Sequence, residues 1–448
     1  MTPLVVHPQT QPLLGGVPVP SDKSIGHRAF LLAGIANGTS RITGFSFGAD
    51  NVSTLDAMAA LGSHWERDGK DAVVVKGTGL FGLIEPKGPI DCGNSGTTMR
   101  LLAGILVAQP FATTLIGDAS LTRRPMKRIF TPLRERGGRL HGSSNDSGED
   151  RPPVHIEALP EAERLRPLQY ASPIASAQIK SAVLLSGLYA HGATQIFEPS
   201  ISRDHSERML RALGVPLEAV GSLVTLDPAG WNGMLPGLEL ALPGDLSAAA
   251  FLLAAGLLVP DSQVTVRHVG LNPTRTGFLE VVRDLGGLLA VEQEGDEAGE
   301  PVGRITAAFS QLRGTKAGGE TVVRAIDEVP ILAGLAARAS GTTTIRDAQE
   351  LRVKESDRLA EMAAVLRAFG VAVEELPDGL VVEGQPEGPL KGAHVDAHGD
   401  HRIAMTAAVL ALLGDAPTRI EDVDAIGTSF PRFVGTLRAL GANVDVVS

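Results

Sequence analysis

Residues His27–Gly44, "HRAFLLAGIANGTSRITG", read as a helix of small apolar residues that stops near a glycine and gives way to a short β-type run. The same pairing returns as "TTMRLLAGILVAQPFATTLIG" (Thr97–Gly117), "IKSAVLLSGLYAHGATQIFEP" (Ile179–Pro199), "SAAAFLLAAGLLVPDSQVTVRHV" (Ser247–Val269), "PILAGLAARASGTTTIRDA" (Pro330–Ala348) and "HRIAMTAAVLALLGDAPTRIEDV" (His401–Val423). A second unit alternates with it, a helix ending in glycine and leading into a strand, as in "TPLRERGGRLHG" (Thr131–Gly142). Its terminal glycines, Gly62, Gly137, Gly214, Gly286, Gly370 and Gly441, each suit the left-handed position that stops a helix. Six βαβα-type modules follow, three to a domain. A continuous solenoid is the alternative, but it needs distinct polar end caps, and none is evident. "NGMLPGLELALPGD" (Asn232–Asp245) has the Pro and Gly content of a crossing between domains, with "LLGGVPVP" near Leu13 as its second strand. The expected division is a discontinuous domain of residues 1–14 and 241–448 and a second domain of 15–240.

The 448-residue chain is too long for one ordinary core, and its net charge of -11 with no basic run argues against a nucleic-acid or anionic-membrane partner. Any anion site is therefore local. Cys92 is the single cysteine, so neither an intrachain disulfide nor a cysteine metal cage can form. The first residues lack a basic region and a signal-length apolar core, and the longest apolar runs, such as Ala248–Val259, fall short of a bilayer span. A cytoplasmic setting is expected.

Helices of the first kind open at or after Ser24, Ser95, Ser176, Asp245, Asp327 and Asp400, all good capping residues. Cations crowd these starts. Lys23, Arg28, Arg100 and Arg402 stand at helices of the first kind, and Arg124, Arg203, Arg275, Arg358 and Arg432 at those of the second. A cation there normally loses a few tenths to about 1 kcal/mol to the helix dipole, so nine in an acidic chain point to bound anions. Taken singly, any of them has an alternative in pairing with acids such as Asp22, Asp204, Glu207 and Asp357. "SPIASAQIK" sets Ser176, Gln178 and Lys180 at a helix entry, where hydroxyl and amide groups read a sugar-like hydroxyl or phosphate. Gly96 lets backbone approach a ligand, and Asp327, Lys354 and Glu355 bring titratable groups to the same kind of entry as Arg358, as proton transfer near an anionic substrate requires.

Other motifs fail on context. "KGTGLFG" (Lys76–Gly82) matches a dinucleotide fingerprint, but Pro86, Gly88 and Pro89 forbid the helix that must follow. No P-loop occurs. "HVDAHGDHR" (His394–Arg402) is rich in metal-ligand types, yet its spacing fits no helix face and Arg402 would repel a cation.

The segments "SDKSIGHR", "GNSGTTMRLL", "RRPM", "SAQIK", "SRDHSE", "NPTR", "DEVP", "VKESDR" and "GDHRIAM", in this order, resemble the 5-enolpyruvylshikimate-3-phosphate (EPSP) synthase family over essentially the full length, in its second sequence class. The resemblance implies a two-domain inside-out α/β barrel of six βαβαββ repeats, three per domain, with the active site in the cleft. It also implies transfer of enolpyruvyl from phosphoenolpyruvate to the 5-hydroxyl of shikimate 3-phosphate, releasing phosphate, in a monomer without metal or organic cofactor. By matching position, Lys23 touches both substrates and acts in catalysis. Ser24, Arg28, Ser176, Gln178 and Arg203 hold shikimate 3-phosphate, Gln178 also reaching phosphoenolpyruvate. Gly96, Arg124, Arg358 and Arg402 take phosphoenolpyruvate. Asp327 is the proton acceptor and Glu355, beside Lys354, the proton donor. The related transferase acting on UDP-N-acetylglucosamine usually carries a cysteine before its Arg-Pro motif, where this chain has Ala119. A non-catalytic repeat protein binding a phosphorylated metabolite would need no Asp327, Lys354 or Glu355. Two departures stand out: Ser21 replaces the family's usual glycine, and Thr428 stands where the other class has a lysine. Gly96, in place of the alanine of some tolerant relatives, implies sensitivity to glyphosate.

Overall fold

The computed structural model describes residues 3–144 and 149–446. Among them are six four-stranded sheets, each built alike. In one, Ile90–Asp91 lies parallel to Thr113–Ile116, which runs antiparallel to Asp150–Ile156, with Leu140–Ser144 outermost. The helix Gly96–Leu106 makes the parallel crossover, and Lys127–Glu135 leads to the outer strand. This is a βαβαββ repeat, three of which form each of two units, the inside-out α/β barrel class.

One unit comprises the chain up to Pro20, Pro243–Asp296 and the chain from Pro301 on; the other comprises Ser21–Leu242 with Glu297–Glu300. The crossings thus fall after Pro20 and Leu242, where the sequence reading put them after Leu14 and Leu240. Strand pairing is the reason. Leu14–Pro18 lies parallel to Gln263–Gly270 in the first unit, and Glu239–Ala241 lies parallel to Thr39–Thr43 in the second. Each interrupted repeat is completed by a strand from the far side of a crossing, and Leu4–Val6 likewise enters the sheet of Thr418–Glu421.

Each unit has its own core. Helices of the first kind lie inside it: every residue of Leu246–Leu258 is buried, as an all-apolar helix requires. Small residues permit the packing. A Cβ on Gly104 would stand 2.4 Å from the carbonyl oxygen of Ala182, so Gly96–Leu106 and Ala177–Gly187 meet backbone to backbone. The six glycines that stop helices of the second kind all have positive φ, between 78° and 104°. After "KGTGLFG" no helix follows; Gly77 instead presses on the carbonyls of Ala33 and Ala36. Among the described residues no helix is long and apolar enough to cross a membrane.

Candidate active site

The second unit gathers its cations around three helix starts. Helix Lys23–Gly34 is capped by Asp22, whose side chain accepts from Ile25 N at 2.9 Å, so Ser24 lies inside the helix and Lys23 opens it. Lys23 Nζ is 2.9 Å from Asp50 Oδ2. Ser21 and Ser46 clasp each other just upstream, Oγ to Oγ at 2.8 Å, each hydroxyl also accepting from the other's backbone N–H. The clasp ties the approach to the lysine's helix to the loop before helix Ala49–Ala60, whose first turn carries Asp50.

Gly96 opens the helix that Ser95 caps. A Cβ there would lie 2.7 Å from Arg100 Nη1 and 3.3 Å from Arg124 Nη1, so two guanidinium groups face this bare backbone. Arg100 Nη1 donates to Gln178 Oε1 at 3.0 Å, Arg128 Nη2 reaches the same oxygen at 3.5 Å, and Gln178 Nε2 donates to Thr97 Oγ1 at 3.1 Å. Arg124 Nη2 donates to Asn94 Oδ1 at 2.6 Å. Three arginines, an amide and a helix N-terminus therefore converge, the donor-rich arrangement that binds phosphate or carboxylate. Arg128 and Thr97 escaped the sequence reading, although each is the second residue of its helix, because that reading took only Arg124 and Gly96 from the same two motifs. Arg203 Nη1 reaches Ser24 Oγ at 3.5 Å, which joins two of the residues expected to share a ligand.

Two residues expected at a ligand turn inward. Arg28 is 4% exposed and donates to Ser206 Oγ, Ser181 Oγ and the carbonyl of Ser24; burial pulls its pKa down to about 10. Lys180 is buried between Glu198 and Glu207, 2.8 Å from each, and donates to the carbonyl of Ser202. Burial acts to lower Lys180, but Glu207 and Glu198 hold it above the ordinary lysine range. Glu198 also accepts from Ser176 N and Ser202 Oγ, so this node fixes the helix start bearing Ser176 and Gln178 to the loop before Arg203.

His27 is also buried, its Nδ1 2.7 Å from Thr54 Oγ1, which continues to Thr98 Oγ1 at 2.7 Å. Burial, aided by Lys23 and Arg28 and opposed by Asp50, lowers its pKa from 6.5 to about 3. The unfolded chain therefore binds a proton here below about pH 6.5 that the folded chain refuses until about pH 3. Across that window stability falls by about 1.4 kcal/mol per pH unit as the pH drops. Urea unfolding is expected to show a loss of about 2 kcal/mol on going to about pH 5 that His27→Gln removes.

In the first unit the charges centre on Arg358. Its guanidinium is 1% exposed and meets three carboxylates: Nε to Asp400 Oδ2 at 2.8 Å, Nη2 to Glu355 Oε2 at 2.7 Å and Nη1 to Asp327 Oδ1 at 3.5 Å. Burial opposes its charge, but the three acids push it above the ordinary arginine range. Arg402 Nη1 donates to the carbonyl of Asp327 at 2.9 Å, and its Nη2 lies 3.8 Å from the carboxylate. Asp327 sits in a 3-10 turn, Ile326–Glu328, one residue before the cap of helix Val329–Ala336, so it is not itself the cap. Lys354 turns to Glu350 at 3.3 Å. Arg275 is spent on Asp245, Ser247 and Glu328, while Arg432 is exposed. The acids named as alternatives mostly have other duties: Asp204 pairs with Arg208, Glu207 with Lys180 and Asp357 with Arg352.

Two histidines of "HVDAHGDHR" pair with carboxylates, His394 with Glu421 and His398 with Glu361. Among the described residues no group of three or more His, Cys, Asp or Glu is placed to hold a metal ion. Thr428 donates to Ala425 O in a 3-10 turn.

A fold of two three-repeat units, with arginines and carboxylates set at helix starts, defines an enzyme class that handles small anionic substrates. The chain's residues 8–437 match the family EPSP synthase (3-phosphoshikimate 1-carboxyvinyltransferase). A 3-phosphoshikimate 1-carboxyvinyltransferase of Geobacter sulfurreducens is 47% identical over 438 residues, spanning 98% of this chain and 99% of its own length. One from Geobacillus kaustophilus is 46% identical, spanning 96% and 98%. Among solved structures, EPSP synthase from Acinetobacter baumannii superposes with a TM-score of 0.88 at 38% identity over the whole of both chains. The enolpyruvyl transferase NikO from Streptomyces tendae, at TM-score 0.78 and 19% identity over 100% and 99%, shares the fold. The chain belongs to the EPSP synthase family.

Proposed function

We propose the following division of labour for the family's reaction, which this chain carries out: transfer of the enolpyruvyl group of phosphoenolpyruvate to the 5-hydroxyl of shikimate 3-phosphate, with phosphate released. Ser24, Ser176, Gln178 and Arg203 take shikimate 3-phosphate, and Arg28 acts by holding Ser24, Ser181 and Ser206 in place. Phosphoenolpyruvate lies against Gly96, Arg124, Arg358 and Arg402, with Arg100 and Arg128 beside Gln178 adding charge, and Lys23 touches both substrates. Fixed cations offset the repulsion between two phosphorylated molecules and stabilise the phosphate that departs.

In the addition step Asp327 removes the proton of the 5-hydroxyl as its oxygen bonds to C2 of phosphoenolpyruvate, and Glu355 gives a proton to the methylene carbon. In elimination a methyl proton returns to Glu355, the C2–O bond to phosphate breaks, the departing phosphate takes up the proton that Asp327 had accepted, and the double bond re-forms. The observation that carries this reading is the placing of both carboxylates on one buried arginine, Arg358, at a helix start. The steps run on side chains alone, in a cytoplasmic monomer, with Lys354 held by Glu350 beside the donor. The test is phosphate release from the two substrates, with Lys23→Met as control. No release by the wild type, or undiminished release by the variant, overturns the reading.

Gly96 makes a second readout. Wild-type activity is expected to fall in millimolar glyphosate; unaffected activity refutes the sensitivity. In Gly96→Ala the methyl crowds Arg100 and Arg124 at flexible side-chain ends, so the fold survives. Its KM for phosphoenolpyruvate is expected to rise about tenfold, the equivalent of about 1.4 kcal/mol.

A further inference from the structure

Arg358 cannot both keep its three carboxylates and receive an anionic substrate. Its Nε and Nη groups are already directed to Asp400, Glu355 and Asp327, and the guanidinium is 1% exposed. The three acids differ in how firmly they are set. Asp400 is fully buried, contacts Nε at 2.8 Å and Nη2 at 3.4 Å, caps helix His401–Ala411 through Arg402 N, and accepts from Ser356 Oγ. Glu355 meets the guanidinium at Nη2 and keeps 21% of its side chain exposed. It lies in the turn between the 3-10 stretch Gln349–Val353 and the helix that Arg358 opens, outside both.

We propose that Arg358 is an exchange point: Asp400 is its permanent counter-ion and positioning residue, whereas Glu355 holds a place that phosphoenolpyruvate takes over, and on leaving it Glu355 picks up from solvent the proton it later gives to the methylene carbon. This rests on the role given to Glu355 above. An arginine beside a carboxylate keeps it ionised, and a second negative charge beside it does the opposite. Replacing the first neighbour by the second drives proton uptake. Arg358 and Asp400 act on Glu355 or share its neighbourhood, Asp327 shares Arg358 with it, and Lys354, which Glu350 engages, precedes it; His401 faces Asp400 and Arg402 faces Asp327. Asp400 keeps its charge through the exchange: burial works to raise its pKa, but Arg358 brings it below the ordinary aspartate value. The arginine therefore stays aimed while one ligand replaces another.

Proton linkage tests this directly. The full chain, saturated with the 5-deoxy analogue of shikimate 3-phosphate, has no hydroxyl to react. It is titrated with phosphoenolpyruvate by calorimetry in buffers of differing ionisation enthalpy. The wild type is expected to take up about one proton more per phosphoenolpyruvate bound than Glu355→Gln. The comparison cancels any proton exchanged by the ligand's own phosphate. Glu355→Asp, which keeps a carboxylate, restores the uptake, and Asp400→Asn weakens phosphoenolpyruvate binding at least tenfold. Equal uptake by wild type and Glu355→Gln overturns the exchange while leaving the reaction intact. Failure of the wild type to bind phosphoenolpyruvate and to release phosphate from the true substrates overturns the functional reading instead.

Discussion

Asp327→Ala is expected to lose about a thousandfold or more in kcat while its KM for phosphoenolpyruvate stays level or falls. Removing a positioned general base costs about a hundredfold to ten-thousandfold, and alanine sets no proton acceptor between Arg358 and Arg402. Both arginines, relieved of one acid, become better hosts for an anion. The turn should survive, because its anchors are elsewhere. Glu328 contacts Ser247 Oγ and lies 3.8 Å from Arg275, and Arg402 holds the carbonyl of residue 327, which the substitution keeps. Steady-state kinetics separates the cases: a raised KM with kcat unchanged would assign Asp327 to structure and overturn its part in proton transfer.

The largest effect on stability is expected from Lys180→Met. The substitution keeps length and apolar bulk but leaves Glu198 and Glu207, each with its side chain 2% exposed, without the ammonium between them. Breaking a buried pair by removing one partner costs about 3–5 kcal/mol. Urea unfolding should show that loss, and Lys180→Met combined with Glu198→Gln and Glu207→Gln should recover most of it. No loss in the single variant would mean that the node carries no charge worth keeping. The same variant should weaken shikimate 3-phosphate more than phosphoenolpyruvate, since Glu198 also fixes Ser176 N and Ser202 Oγ.

Much of the fold was legible because its signals are local. A glycine that stops a helix announces itself by needing positive φ, and all six do. A helix made of Ala, Leu and Gly announces burial on every side, as Leu246–Leu258 shows. The crossings were less legible. Leu14–Pro18 reads like any short strand, and only its pairing with Gln263–Gly270, far along the chain, assigns it to the first unit. Helix starts were legible to within a residue or two; Asp22 rather than Ser24 caps the first, and Glu328 rather than Asp327 caps the helix at Val329. Ser21, the departure that motif comparison left unexplained, proves to have a partner of its own in Ser46.

The amino-acid sequence by itself determined the number of repeats, the kind of helix in each, the concentration of cations at helix starts and the ordered motifs that place the chain in its family. These depend on periodicity, backbone preference and residue type over a few positions. Tertiary structure alone decided what faces each of these cations and how deeply it is buried. Arg275 and Lys180 look like Arg124 and Lys23 in a motif, yet the first two are buried on acids. Arg28, likewise inside a motif, is buried on the hydroxyls of Ser181 and Ser206. A charge is available or consumed according to what faces it and how far water is excluded, and the facing residue comes from another repeat. Arg358 shows both sides of this: its motif marks it as a candidate anion binder, and the fold surrounds it with three carboxylates, Asp400, Glu355 and Asp327.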